Sequence, residues 1–137
     1  MKIFLTILFS ISTVAGFTGK WSATGFYESD RNSGKCQEVF LQLKKTNSRF
    51  MILDGGYICA DIQASYPPSS FDIVDSELFY RNQRVGTITK DKIEISYLDG
   101  VYKLSLNILD GEILFTESWK DEEDFLTIES KMKTLEL

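Results

Sequence analysis

The sequence contains no histidine. That removes Ser-His and Cys-His nucleophile pairs and every imidazole metal site. Beyond the first sixteen positions there is no long apolar run to span a membrane and no helical period. Only two prolines and two cysteines occur in 137 residues. Positive charge is also scarce: 15 Lys and Arg stand against 20 Asp and Glu, a net charge of −5. With no basic stripe to override that balance, the chain repels nucleic acid. These absences point away from an enzyme, from a metal centre and from any bound cofactor.

The start of the chain is what a signal peptidase reads. Met1 and Lys2 give a short positive end. Ile3 to Val14 is apolar apart from Thr6, Ser10, Ser12 and Thr13, and the small residues Ala15 and Gly16 follow. The run is shorter than the about 20 residues a bilayer span needs. We therefore read residues 1–16 as a cleaved signal peptide and 17–137 as one domain. Loss of Lys2 takes the net charge from −5 to −6. The mature protein is expected to be secreted or periplasmic, with no stable membrane span. Export brings Cys36 and Cys59 to a compartment where a disulfide persists, and an even pair in a small exported domain forms one bridge.

Alternation dominates the rest. Ile93, Ile95 and Tyr97 alternate with Lys92, Glu94 and Ser96, and Tyr102, Leu104, Leu106 and Ile108 with Lys103, Ser105 and Asn107. A period of two sets one face on a core and the other in water. Asp54-Gly55-Gly56, Asp99-Gly100 and Asp110-Gly111 carry hairpin chemistry. Tyr66-Pro67-Pro68 is a breaker that marks a corner or a longer crossing. Strands are expected at 19–27, 36–45, 49–54, 57–65, 71–74, 77–81, 84–89, 92–98, 101–109, 112–119 and 124–131. The fold class is all-β: an antiparallel up-and-down meander closed into a β-barrel, with a β-sandwich as the alternative. Closure buries the apolar face and removes exposed edges. In this register Cys36 and Cys59 share the polar face. A strand at 49–54 stands between theirs, so a bridge needs Cys36 in a loop or a bent sheet.

Gly19-Lys20-Trp21 opens the first strand. This resembles the G-x-W signature at the head of lipocalins and related calycins, small exported barrels that hold apolar ligands. The resemblance implies a meander barrel with Trp21 packing one end and an interior that takes a small molecule. Trp21, Ala23, Gly25 and Tyr27 share one face of the first strand, and the two small residues leave room inside. Val39, Leu41, Tyr102, Leu104 and Leu106 are expected to face them across a partly open interior. Glu117 shares parity with Ile113, Phe115 and Trp119. It either faces inward, where a buried carboxylate needs partners and can orient a polar head group, or lies in water with Leu114, Thr116 and Ser118 inside. The acidic run Asp121 to Asp124 reads as a solvated turn. The expected partner is a small apolar or amphipathic ligand held by these residues. An unidentified protein, bound at the rim of a filled barrel, is the alternative.

Overall fold

The computed structural model describes residues 16–135. The expected signal peptide lies outside them except for Gly16. Eleven strands follow in order: β1 (Gly19–Ser29), β2 (Ser33–Lys45), β3 (Arg49–Cys59), β4 (Gln63–Ser65), β5 (Ser69–Val74), β6 (Glu77–Tyr80), β7 (Gln83–Ile88), β8 (Lys92–Tyr97), β9 (Tyr102–Leu109), β10 (Glu112–Lys120) and β11 (Phe125–Thr134). The one helical piece among the described residues is a 3-10 turn at Leu98–Gly100. All pairings are antiparallel and, apart from β4 and β5, join strands that follow one another in the chain, while β1 joins both β2 and β11. With β2 also on β3, the meander is a closed ring of ten strands. The short β4 shares the far half of one edge of β3, while β5 takes the near half. Closure excludes the sandwich.

Two-residue turns set much of the register. Asp75-Ser76 and Arg81-Asn82 have positive φ at both positions, as a type I′ hairpin requires, and so does Asp110-Gly111. Asp54-Gly55-Gly56 behaves otherwise. It was expected to turn the chain, but β3 runs straight through it. The glycines serve close approach instead. A Cβ on Gly56 would lie 2.2 Å from the Ala64 carbonyl oxygen, and one on Gly55 would lie 2.8 Å from both Leu41 and Tyr66. They stand where β3 exchanges β5 for β4 as its partner.

Bulges correct the cysteine register. Between the pairs Cys36↔Cys59 and Glu38↔Ile58, β2 advances one residue more than β3. Between Gln42↔Asp54 and Leu43↔Ile52, β3 carries the extra residue. One added residue switches a strand's faces. Both cysteines therefore point into the core rather than onto the polar face, and both are buried. They sit directly opposite on neighbouring strands, with Cα atoms 3.7 Å apart, and form a disulfide. No strand intervenes, because 49–54 and 57–59 are one strand.

The interior is filled unevenly. At the end where the chain enters, Phe17, Trp21, Leu43, Phe50 and Met132 are all buried. The Trp21 indole N–H donates to the Phe17 carbonyl at 2.8 Å, and the Phe17 ring meets Phe50 edge-on at 6.3 Å. Eight strands enclose just enough room for side chains or one small ligand, and ten enclose more. The surplus room appears at the opposite end.

Candidate functional site

The far end of the barrel is where β8 runs out at Tyr97, β9 begins at Tyr102 and β10 approaches Lys120. The break between β4 and β5 lies beside it. There the wall encloses an open cavity of about 390 Å³. Ile52, Phe71, Ile95 and Leu104 form its apolar sides, Tyr66, Pro67 and Ser69 come from the break, and Tyr97, Leu98, Tyr102 and Trp119 surround its mouth. Leu98 is 67% exposed and Trp119 41%. A volume in this range, with mostly apolar walls and a few convergent polar groups, is what small-molecule sites offer.

The convergent polar group is Glu117. It faces inward and is 1% exposed, which decides between its two expected orientations. Its Oε1 accepts hydrogen bonds from the Tyr66 hydroxyl and, at 2.8 Å, from the Tyr102 hydroxyl. Its Oε2 accepts from the Trp119 indole N–H at 3.3 Å. The indole N–H can only donate and each hydroxyl can donate, so the three satisfy the carboxyl oxygens as acceptors. The ion pairs among the described residues lie elsewhere, at Arg49–Asp72, Arg84–Glu77, Lys92–Glu94 and Lys133–Glu112. Glu117 is thus a buried carboxylate held by neutral dipoles.

Local structure brings the tyrosines to it. The Tyr66 N–H donates to the Gly55 carbonyl at 2.8 Å, and the missing side chain at Gly55 leaves the space that the Tyr66 ring occupies. Pro67 and Pro68 then interrupt the strand, because neither can donate to a ladder. Tyr57 stacks edge-on against Tyr66 at 6.3 Å. Further out, rings follow one another from Phe50 to Phe71 (6.1 Å), Tyr80 (5.8 Å), Tyr97 (6.3 Å), Tyr102 (5.9 Å) and Trp119 (4.5 Å). Such contacts exceed their area burial in value by about 0.5–1.5 kcal/mol each.

Of the residues expected to bind ligand, Tyr102 and Leu104 line this cavity, and Glu117 lies beneath Tyr66 and Tyr102. Leu106 is buried further along β9. Trp21 is at the closed end. Ala23, Gly25, Tyr27, Val39 and Leu41 lie on β1 and β2, which contribute nothing to the cavity lining. Gly25 marks no empty space: a Cβ there would lie 2.5 Å from the Glu129 carbonyl oxygen and 2.9 Å from Val39. The Tyr27 hydroxyl donates to Asp61 at 3.1 Å, where Asn32 also donates. Tyr66 and Tyr57 went unread as partners of Glu117, since one lies in a breaker and the other follows an apparent turn. Among the described residues no cluster of three or more acidic or cysteine side chains could hold a metal ion. The Asp121–Asp124 run is a capped turn: Asp121 Oδ1 accepts from the N–H groups of Glu123 and Asp124.

Burial first, and then the neighbouring Glu117 carboxylate, push the Tyr57, Tyr66 and Tyr102 hydroxyls well above the ordinary phenol value of 10.0. Burial and the adjacent Tyr80 push Tyr97 up to about 12. The folded state therefore keeps protons that the unfolded chain releases. Stability is full below pH 10.0 and falls as pH rises above it. The loss is about 1.4 kcal/mol per pH unit for each of Tyr66 and Tyr102. Thermal unfolding followed across that range should show the decline, with the phenolate absorbance of Tyr66 and Tyr102 appearing only as the barrel opens. Full phenolate absorbance in the folded protein near pH 11 would contradict it.

No protein-family model matches the chain, and no curated protein matches it. Among solved structures it is similar to the zebrafish ileal bile acid-binding protein complexed with cholic acid. Identity is 11%, with 88% of this chain and 100% of that one covered and a TM-score of 0.46. Nothing about the cavity transfers at that distance. The chain's own topology defines its class: a closed antiparallel meander barrel with a pocket at one end. This is the form the lipocalin resemblance implies, with ten strands where lipocalins have eight.

Proposed function

We propose that this protein is exported and carries a small apolar or amphipathic molecule in the open end of its barrel. The observation that carries this reading is the cavity of about 390 Å³. A stable interior packs to crystal-like density, and empty apolar space weakens it. The charged start and apolar run of residues 1–16, together with the disulfide, support a secreted or periplasmic location for a domain spanning 17–137. No helix among the described residues is long and apolar enough to cross a membrane. The reading is of a carrier and not an enzyme. The exposed Leu98 and Trp119 at the mouth favour a second reading, a protein partner bound at the rim.

Uptake of an apolar fluorescent probe tests the first reading. Ser69 lines the cavity and pairs with Ile52. Ser69→Trp should fill the space and weaken probe binding by about tenfold or more, with an unchanged β circular-dichroism spectrum. Failure of the unmodified protein to take up any such probe would sink the carrier reading and leave the rim.

A further inference from the structure

The charge and aromatic content of the cavity end define which head group it accepts. Glu117 is a buried carboxylate with no cationic partner among the described ion pairs. Glu117 does not line the cavity itself; Tyr66, Tyr102 and Trp119, which do, donate to its two oxygens. Its negative charge therefore stands behind the aromatic wall of the cavity, out of contact with solvent. Around the mouth stand the rings of Tyr97, Tyr102 and Trp119, with the Tyr102 and Trp119 centroids 4.5 Å apart and tilted at 60°. A buried negative charge beside electron-rich rings attracts a cation from both sides. The same charge repels a carboxylate, and the apolar walls strengthen both effects.

We propose that the ligand is an amine or a quaternary ammonium with an apolar body, its cationic head set against the rings of Tyr102 and Trp119 with the Glu117 carboxylate behind them. This rests on the carrier reading and narrows it. An anionic amphiphile, such as a fatty acid, is rejected by the same arrangement. The protein thereby sorts ligands of equal apolar bulk by the charge at one end.

The test uses three probes of one chain length on the mature protein: octyltrimethylammonium, octan-1-ol and octanoate, with affinities measured by calorimetry or probe displacement. The cation should bind about tenfold or more tightly than the alcohol, and the alcohol more tightly than octanoate. In Glu117→Gln the ratio of cation to alcohol affinity should fall to about one, because the charge is gone while the shape is kept. Tyr102→Phe removes a donor from the carboxylate and leaves its charge less satisfied. There the preference for the cation should persist or grow, which a loss of shape alone would not produce. This variant also decides the matter if Glu117→Gln does not fold. Octanol binding without a cation preference, or tightest binding of octanoate, would overturn the amine assignment and leave the carrier reading intact. Binding of none of the three would overturn both.

Discussion

Tyr66→Phe/Tyr102→Phe is expected to lower the unfolding free energy by about 3–5 kcal/mol. The two hydroxyls are the donors to Glu117 Oε1. Each single change should cost about 1.5–3 kcal/mol, the range for a hydrogen bond to a charged group. Removing both leaves a buried carboxylate facing two rings, with Oε1 stripped of both its donors and the Trp119 indole N–H still donating to Oε2. A charge stranded in that way costs more than the bonds it has lost. Adding Glu117→Gln to the double variant should therefore recover part of the loss, although it takes away yet another polar contact of the wild type. Urea denaturation measures all of these, with constant slope as the check that only stability has changed. A double variant within about 1 kcal/mol of the parent would show that Glu117 is not sustained by these tyrosines.

Reduction of the Cys36–Cys59 bridge should be of similar size. The two residues are 23 apart in sequence. Closing a loop of that length removes denatured-state entropy worth about 3 kcal/mol. Cys36→Ala/Cys59→Ala also vacates the buried volume of two sulfur atoms, so its loss should be no smaller. For a domain near 120 residues this lowers the melting temperature by roughly 10–15 °C. Thermal scans with and without a reductant provide the measurement. A melting temperature that does not move would mean that the β2–β3 ladder already holds the two strands without help. The bridge lies at the same end of the barrel as the cavity mouth, where β2 begins and β3 ends, so its loss should loosen that end first.

Much of this fold was legible in the residues because alternation and turn chemistry speak locally. The runs at 92–98, 101–109 and 112–119 lie within a residue or so of β8, β9 and β10. Asp110-Gly111 turns the chain as its composition says. Legibility failed where a local signal served a distant contact. Gly55 and Gly56 have the composition of a turn, yet they make room for Tyr66 and Ala64, which no neighbour in sequence reveals. The bulges in β2 and β3 reversed the face assigned to both cysteines, since a parity count carries a single extra residue through every position beyond it. The candidate site was half visible for the same reason. Parity placed Tyr102 and Leu104 inward and left Glu117 open between two faces. Its partner Tyr66 lies 51 residues away, across the Pro67-Pro68 break, and only the closing of the ring brings the two together.

The two tryptophans make the molecule its own photometer. Trp21 is sealed at the closed end, its indole N–H spent on a backbone carbonyl. Trp119 stands at the mouth, half in water, beside the carboxylate and the ring of Tyr102. One chromophore senses whatever arrives in the cavity, and the other, at the far end of the same barrel, stays constant as an internal reference. On the carrier reading, occupancy is therefore written into the ratio of two emissions from a single unlabelled chain.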